Sequence, residues 1–264
     1  MTLRVKGLRN VLRIRWIPRY TLLERAMHWL HTGTFVPLAI TGFILYTPWL
    51  QSVAQGDSGQ LIRLLHRIFA IGFGVVPIAY VLFQPRRAVM SLKEFMIGAD
   101  DVKWVKNAVA YYLLGKHDAM PPQGRFNTGE KLNGLIMIVT WIVFAISGLL
   151  MWFHNVVNLS SGLFQWTVFF HDVAFIVSVC MFFIHFFLAV VHPLMWQGLV
   201  SMRFGYTSAA YAAEHHAKCP HSTTWRGAPP RKQPRCSQSA WTPGPATSAG
   251  GSRPGRSELG TCTR

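Results

Sequence analysis

FFHDVAFIVSVCMFFIH, residues 169–185, is the stretch on which the reading of this chain turns. It lies inside an apolar run, 163–191, that exceeds the roughly 20 residues needed to cross a bilayer as a helix. A histidine within such a run is expensive to hold in hydrocarbon and marks a functional position. His171 and His185 stand fourteen residues apart. On a helix this is a rise of about 21 Å and a net rotation of about 40°. Both imidazoles are therefore predicted on one face, one near each membrane surface. A helix that holds two stacked haems needs this arrangement, with a second histidine for each iron supplied from elsewhere in the chain.

Composition agrees with a membrane protein. Of 264 residues, 51% are hydrophobic and 13% aromatic, yet the formal net charge is +16. A basic soluble nucleic-acid binder does not carry so apolar a composition, and no nucleic-acid partner is expected. The charge gathers between the apolar runs, and membrane lipid is the expected surrounding. Cys180 stands alone within a span, and Cys219, Cys236 and Cys262 lie far downstream, so the cysteines form neither a metal pattern nor a disulfide framework. The first apolar run lacks a small-residue cleavage site and reads as a retained span.

The pattern predicts four spans, at about 26–48, 61–83, 132–153 and 163–191, within a membrane domain of residues 26–195. A basic segment, 1–25, precedes them, with its first 19 residues expected on the membrane surface or disordered. Between spans two and three, VKWVKNAVAYYLL (102–114) reads as an amphipathic interfacial helix with Trp104, Tyr111 and Tyr112 at headgroup level. Residues 196–218 form a helical extension. After Lys218 the text turns abruptly to Pro, Gly, Ser, Thr and Arg. Residues 219–264 are expected to be a disordered basic tail, or the product of a frameshift.

Basic residues set the orientation. Seven precede span one (Arg4, Lys6, Arg9, Arg13, Arg15, Arg19 and Arg25). Eight lie between spans two and three: Arg86, Arg87, Lys93, Lys103, Lys106, Lys116, Arg125 and Lys131. The first loop has only Arg63, and the third loop has none. The positive-inside rule puts both termini and the middle segment in the cytoplasm. The fold class is thus an all-α membrane protein, a four-transmembrane-helix bundle with cytoplasmic termini.

Topology then pairs the histidines. His28 opens span one at the cytoplasmic side, and His66 opens span two at the outer side. Span four runs inward, with His171 outside and His185 inside. His66 with His171 would hold an outer haem b, and His28 with His185 an inner one. The competing reading is that interfacial histidines merely hydrogen-bond loops, but four at two matched depths argue against it. His31, one turn from His28, stays open as an alternative ligand. His192 is placed at the surface, about 31 Å from His171 along a helix. Arg63 and Arg67 flank His66 and suit haem propionates, since guanidinium matches carboxylate bidentately; ordinary interfacial anchoring is the alternative for both. Iron ligated by two imidazoles has no open site and relays single electrons.

An electron relay in a membrane calls for a terminal acceptor, and a quinone is the natural one. GRFNTGEK, residues 124–131, leads into span three at the depth of the inner haem. Asn127 is a candidate to hydrogen-bond a quinone carbonyl, with Lys131 or Glu130 delivering protons. The same residues also suit a plain helix N-terminal turn.

Four stretches together resemble the cytochrome b (gamma) subunit of respiratory formate dehydrogenases, within the dihaem cytochrome b superfamily. They are RAMHW (25–29), LLHRIF (64–69), GRFNTGEK (124–131) and the two histidines of span four. The likeness covers residues 19–216. It implies ligand roles for His28, His66, His171 and His185, and quinone contact by Asn127 near His185. It further implies an iron–sulfur subunit as electron donor, a molybdenum or tungsten catalytic subunit beyond it, and menaquinone or ubiquinone as acceptor. The family often has Gln where this chain has Glu130, and a small residue where it has Asp172.

The expectation is therefore an electron-transfer subunit of a formate:quinone oxidoreductase in a bacterial inner membrane, with no formate oxidation in this chain. The same relay attached to a nickel–iron hydrogenase or a molybdopterin sulfur-compound reductase is the first alternative. A haem-free transporter or sensor is the second, although transporters tend to have more spans and broken helices.

Overall fold

The computed structural model describes residues 16–114 and 120–216. The basic segment up to residue 15 and the predicted tail, 219–264, lie outside the described residues. In chain order the elements are β1 (Trp16–Pro18), α1 (Leu22–Tyr46), α2 (Gly56–Phe83), α3 (Pro85–Glu94), α4 (Ala99–Leu114), α5 (Thr128–Trp152), α6 (Ser161–Phe186), α7 (Trp196–Phe204), β2 (Tyr206–Ser208) and α8 (Ala209–His215). Helices α1, α2, α5 and α6 are the four long and apolar enough to cross a membrane.

Each of these starts a few residues before its apolar run, because polar residues nucleate it. Thr21 caps α1 by accepting from the Glu24 amide, and the Glu24 carboxylate accepts from the Thr21 amide in return. Asn127 and Glu130 form the same reciprocal box on α5, and Ser160 caps α6. Such boxes satisfy amides that the first turn leaves orphaned. Helix α2 begins at Gly56, whose φ of +59° suits glycine. It turns so tightly that a Cβ on Gly59 would overlap the Ala54 carbonyl. At the far end, α6 widens through Phe187–Val191 and stops at His192, held extended ahead of Pro193.

The bundle is two antiparallel hairpins, α1 against α2 and α5 against α6, with α6 also meeting α1. Most of its buried positions are small, namely Thr41, Thr140, Ser147, Thr167, Ala174 and Ser178, with Phe35 and Phe73 the large ones. Small residues let helix backbones approach where there is no hydrophobic drive between helices. Large apolar side chains such as Phe43, Leu82, Leu149, Trp166 and Phe183 point outward instead, which only a hydrocarbon surrounding satisfies. Pro77 lies within α2 and lacks an amide hydrogen, so the Phe73 carbonyl loses its helical partner. The indole N–H of Trp141 on α5 donates to that carbonyl at 3.2 Å and ties the hairpins together.

Three features differ from the expectation drawn from periodicity. The middle segment holds two helices, since α3 precedes α4, and Trp104 and Tyr111 of α4 are buried. The extension after span four is two helices broken by a strand, because Gly205, at φ +87°, ends α7. Residues 16–18 pair antiparallel with residues 206–208, Trp16 opposite Ser208. Strands of three residues are too short for an alternating pattern to be visible.

Candidate functional site

Two histidine pairs stand at the two ends of the four-helix bundle. His28 on α1 and His185 on α6 have ring centres 6.2 Å apart, at the end that carries β1 and β2. His66 on α2 and His171 on α6 have ring centres 6.4 Å apart, at the opposite end. A first-row metal–imidazole bond is about 2.0 Å, so two imidazoles on opposite sides of one iron are centred about 6.3 Å apart. Both pairs fit that span. Among the described residues no group of three or more His, Cys, Asp or Glu side chains is placed to hold a metal ion. A metal held by either pair must bring its remaining ligands with it, as the iron of a porphyrin does. Haem b fits these residues.

The His66–His171 pair is held from behind. Thr41 on α1 donates its hydroxyl hydrogen to the Pro37 carbonyl at 2.7 Å, and its oxygen lies 2.8 Å from Nδ1 of His66. Ser147 on α5 donates to the Val143 carbonyl, and its oxygen lies 2.8 Å from Nδ1 of His171. Each hydroxyl has one hydrogen and has given it to the backbone, so toward the imidazole it accepts. With the hydroxyl hydrogens so placed, Nδ1 of each ring carries the proton and Nε2 has a lone pair that a metal could take. Glycine follows each hydroxyl residue. A Cβ on Gly42 would lie 3.5 Å from Cε1 of His66, and one on Gly148 3.9 Å from Cε1 of His171. The two hydroxyl–glycine pairs precede their histidines by 25 and 24 residues.

His28 has no such holder: its Nδ1 is buried and unpartnered among the described residues. His31, the open alternative, stacks on Phe73 of α2 with ring centres 4.3 Å apart, and among the described residues its ring is paired with no second histidine. His192 packs against Tyr112 of α4, its Nε2 3.4 Å from the Tyr112 carbonyl. Phe35, Phe73 and Phe182 fill the bundle interior between the two levels. Arg63 donates to the Ala54 carbonyl at 3.1 Å, and Arg67 lies over the Trp152 ring at 5.3 Å. Both stay at the His66 end, each with a partner already.

A polar cap covers the other end. The buried Arg19 guanidinium pairs with Glu130 at 2.9 Å, and Arg125 bridges Glu24 at 2.6 Å and Glu94 at 3.1 Å. Asp101 accepts from Thr128 at 2.6 Å and from Lys131 at 2.9 Å. His216 is fully buried, with Nδ1 2.7 Å from the Gly124 carbonyl. Burial opposes the Arg19 charge, but Glu130 more than offsets this and raises its pKa. Burial pushes the Tyr20 phenol up to about 12. Burial, and then the Arg19 charge, push His216 down to about 4. Burial also works against the Asp101 carboxylate, yet its bonds from Thr128, Lys131 and the Gly98 amide hold its pKa below the usual range.

Asn127, Glu130 and Lys131 thus all have structural partners. Asn127 spends its side-chain oxygen on the Glu130 amide, and its N–H₂ group makes no hydrogen bond among the described residues. Arg19, in the sequence one more positive charge, anchors the first turn of α5 from just after β1.

Residues 19–205 match the family model of prokaryotic cytochrome b561. The cytochrome b556(fdo) subunit of formate dehydrogenase from Escherichia coli K12 is 25% identical over 208 residues, covering 76% of this chain and 90% of the relative. The nitrate-inducible cytochrome b556(Fdn) subunit of formate dehydrogenase from the same strain is 23% identical over 206 residues, covering 77% and 90%. The Shigella flexneri counterpart of the nitrate-inducible subunit matches to the same extent. The histidine pairs, the apolar exterior and a family match over most of the chain agree: the chain belongs to the prokaryotic cytochrome b561 family, whose members are membrane cytochromes.

Proposed function

We propose that this chain is the membrane-anchoring cytochrome b subunit of a formate dehydrogenase, and that it carries electrons across a bacterial inner membrane to a quinone. One observation carries the reading: two histidine pairs at haem-like spacing, at opposite ends of one apolar bundle. His66 and His171 would hold one haem b, and His28 and His185 the other. Bound haem b with two imidazole ligands supplies one-electron carriage with no open coordination site. The three relatives, all named as formate dehydrogenase subunits, support the choice of complex. An iron–sulfur subunit would be the immediate donor, with a molybdenum or tungsten catalytic subunit behind it.

By the positive-inside rule the end with the polar cap faces the cytoplasm, and so do both termini. Quinone, either menaquinone or ubiquinone, would bind near His185. The antiparallel α5 begins at the end of the bundle where α6 carries His185, which supports placing the α5 N-terminus beside that site. There the Asn127 N–H₂ group would donate to a quinone carbonyl, while the Lys131 ammonium, paired with the Asp101 carboxylate, would supply a proton at the aqueous edge. Arg63 and Arg67 would reach propionates at the opposite end by leaving their present partners.

The test is the reduced-minus-oxidised optical spectrum and the haem content of the purified chain. Two b-type haems per chain are expected, with one lost in each of His28→Ala, His66→Ala, His171→Ala and His185→Ala. A folded chain without haem overturns the reading. Copurification with hydrogenase subunits in place of formate dehydrogenase subunits would keep the cytochrome and overturn the choice of complex.

A further inference from the structure

The two histidine pairs are not equivalent, and the difference lies behind the rings. Thr41 and Ser147 come from different hairpins, yet each does the same two things. Each closes a hydrogen bond to the carbonyl four residues back, and each presents its oxygen 2.8 Å from a histidine Nδ1. The first bond is ordinary for a hydroxyl residue in a membrane helix. The second is not needed for packing, and it occurs on both members of one pair. At the other pair, Nδ1 of His28 is buried with no acceptor among the described residues.

An imidazole whose Nδ1–H is hydrogen-bonded is a more basic ligand through Nε2, and its orientation is fixed. A more basic axial ligand favours ferric over ferrous iron, because the extra positive charge is better compensated. Hydrogen bonding around a haem is one of the means by which a protein sets its potential.

We infer that Thr41 and Ser147 are positioning residues which hold His66 and His171 as Nδ1–H tautomers and set the His66–His171 haem at a lower potential than the His28–His185 haem. The inference rests on the haem reading above and adds a direction to it. The energetic slope runs from the His66 end toward the capped end, where the quinone is placed. Gly42 and Gly148, which follow the two hydroxyl residues, lie beside Cε1 of the two rings, where a Cβ would make ordinary van der Waals contact.

The test is redox potentiometry of the purified chain, followed optically. The wild-type titration first shows whether two haems are present, which decides the haem reading separately. His171→Ala then identifies the couple that belongs to the His66–His171 haem, because that couple disappears. It is expected to be the lower of the two; if it is the higher, the inference is overturned. In Thr41→Val and in Ser147→Ala that couple should move upward. At a fixed ambient potential its reduced-to-oxidised ratio should rise about threefold, the scale of one modest hydrogen bond. The other couple should stay in place. Unmoved potentials in both variants, or a shift confined to the other haem, overturn the inference. Should Thr41→Val lose the haem altogether, Thr41→Ser decides, since it restores the acceptor: a retained haem at the wild-type potential sustains the inference, and loss or shift there overturns it.

Discussion

Trp141 on one hairpin donates its indole hydrogen to the Phe73 carbonyl on the other, at 3.2 Å, and Pro77 is the reason that carbonyl is available. A carbonyl without a partner in hydrocarbon is costly, and neighbouring helices commonly supply the missing donor around a proline. Trp141→Phe keeps most of the ring volume and removes the donor. It should cost about 1 kcal/mol, the usual scale for an interhelical hydrogen bond in a membrane protein. Thermal unfolding in detergent measures it. Pro77→Ala restores an amide that bonds Phe73 from within α2, so the loss from Trp141→Phe should be smaller in that background. Strict additivity of the two changes would show that the bond contributes nothing.

His31 and His28 are separated by one turn, and of the two, among the described residues, only His28 faces a second histidine. His31→Phe should therefore retain both haems and both potentials, since a phenyl ring preserves the stack on Phe73. His28→Ala should lose one haem. Loss of a haem from His31→Phe, with His28→Ala intact, would reassign the ligand.

The histidine quartet was legible in the sequence because a histidine in an apolar run is conspicuous and helical periodicity gives its depth and face. The spans were legible for the same reason, since hydrocarbon admits few alternatives to an apolar helix. Thr41 and Ser147 were not, because a hydroxyl residue in a membrane helix usually bonds its own backbone and carries no sign of a second contact. Arg19 looked like part of a solvated basic segment, and only the tertiary fold sets it against Glu130. The β1–β2 pair escaped notice because three residues show no period. Asn127 carried both a cap and a quinone signature, since one residue type at the start of a helix suits both.

His216 joins the polar cap to the loop before α5 through the Gly124 carbonyl. Its folded-state pKa, about 4, lies below the ordinary histidine value. The sign follows from linkage: between these two values the unfolded state binds a proton that the folded state refuses. The stability of the cap is therefore fully present above about pH 6.5 and is lost as pH falls from there toward about 4. The total loss should be about 3 kcal/mol. Hydrogen exchange of the β1 and β2 amides, corrected for intrinsic rates, should show progressive opening across that window. His216→Gln should flatten the dependence, because an amide can keep the bond to Gly124 without titrating. An unchanged pH profile in His216→Gln would place the acid-sensitive group elsewhere.

Asn127 separates structure from chemistry in a single side chain. Its oxygen caps α5, and its N–H₂ group is the part left for a quinone. Serine is an equally good cap and completes the same box with Glu130, but it carries no amide donor at that reach. Asn127→Ser should leave thermal stability within about 0.5 kcal/mol of the wild type. Asn127→Ala should lose about 1 kcal/mol with the cap. If the amide holds a quinone carbonyl, both variants should raise the KM for quinone by about tenfold, close to the 1.4 kcal/mol of one hydrogen bond. Haem spectra should be unchanged in both, since neither substitution touches a histidine pair. The comparison of Ser with Ala then divides the two roles. A KM that rises only in Asn127→Ala would tie the effect to the loss of the helix turn, and Asn127 would be a cap and nothing more. A KM that rises equally in both, with stability lost in one alone, would place the amide at the quinone.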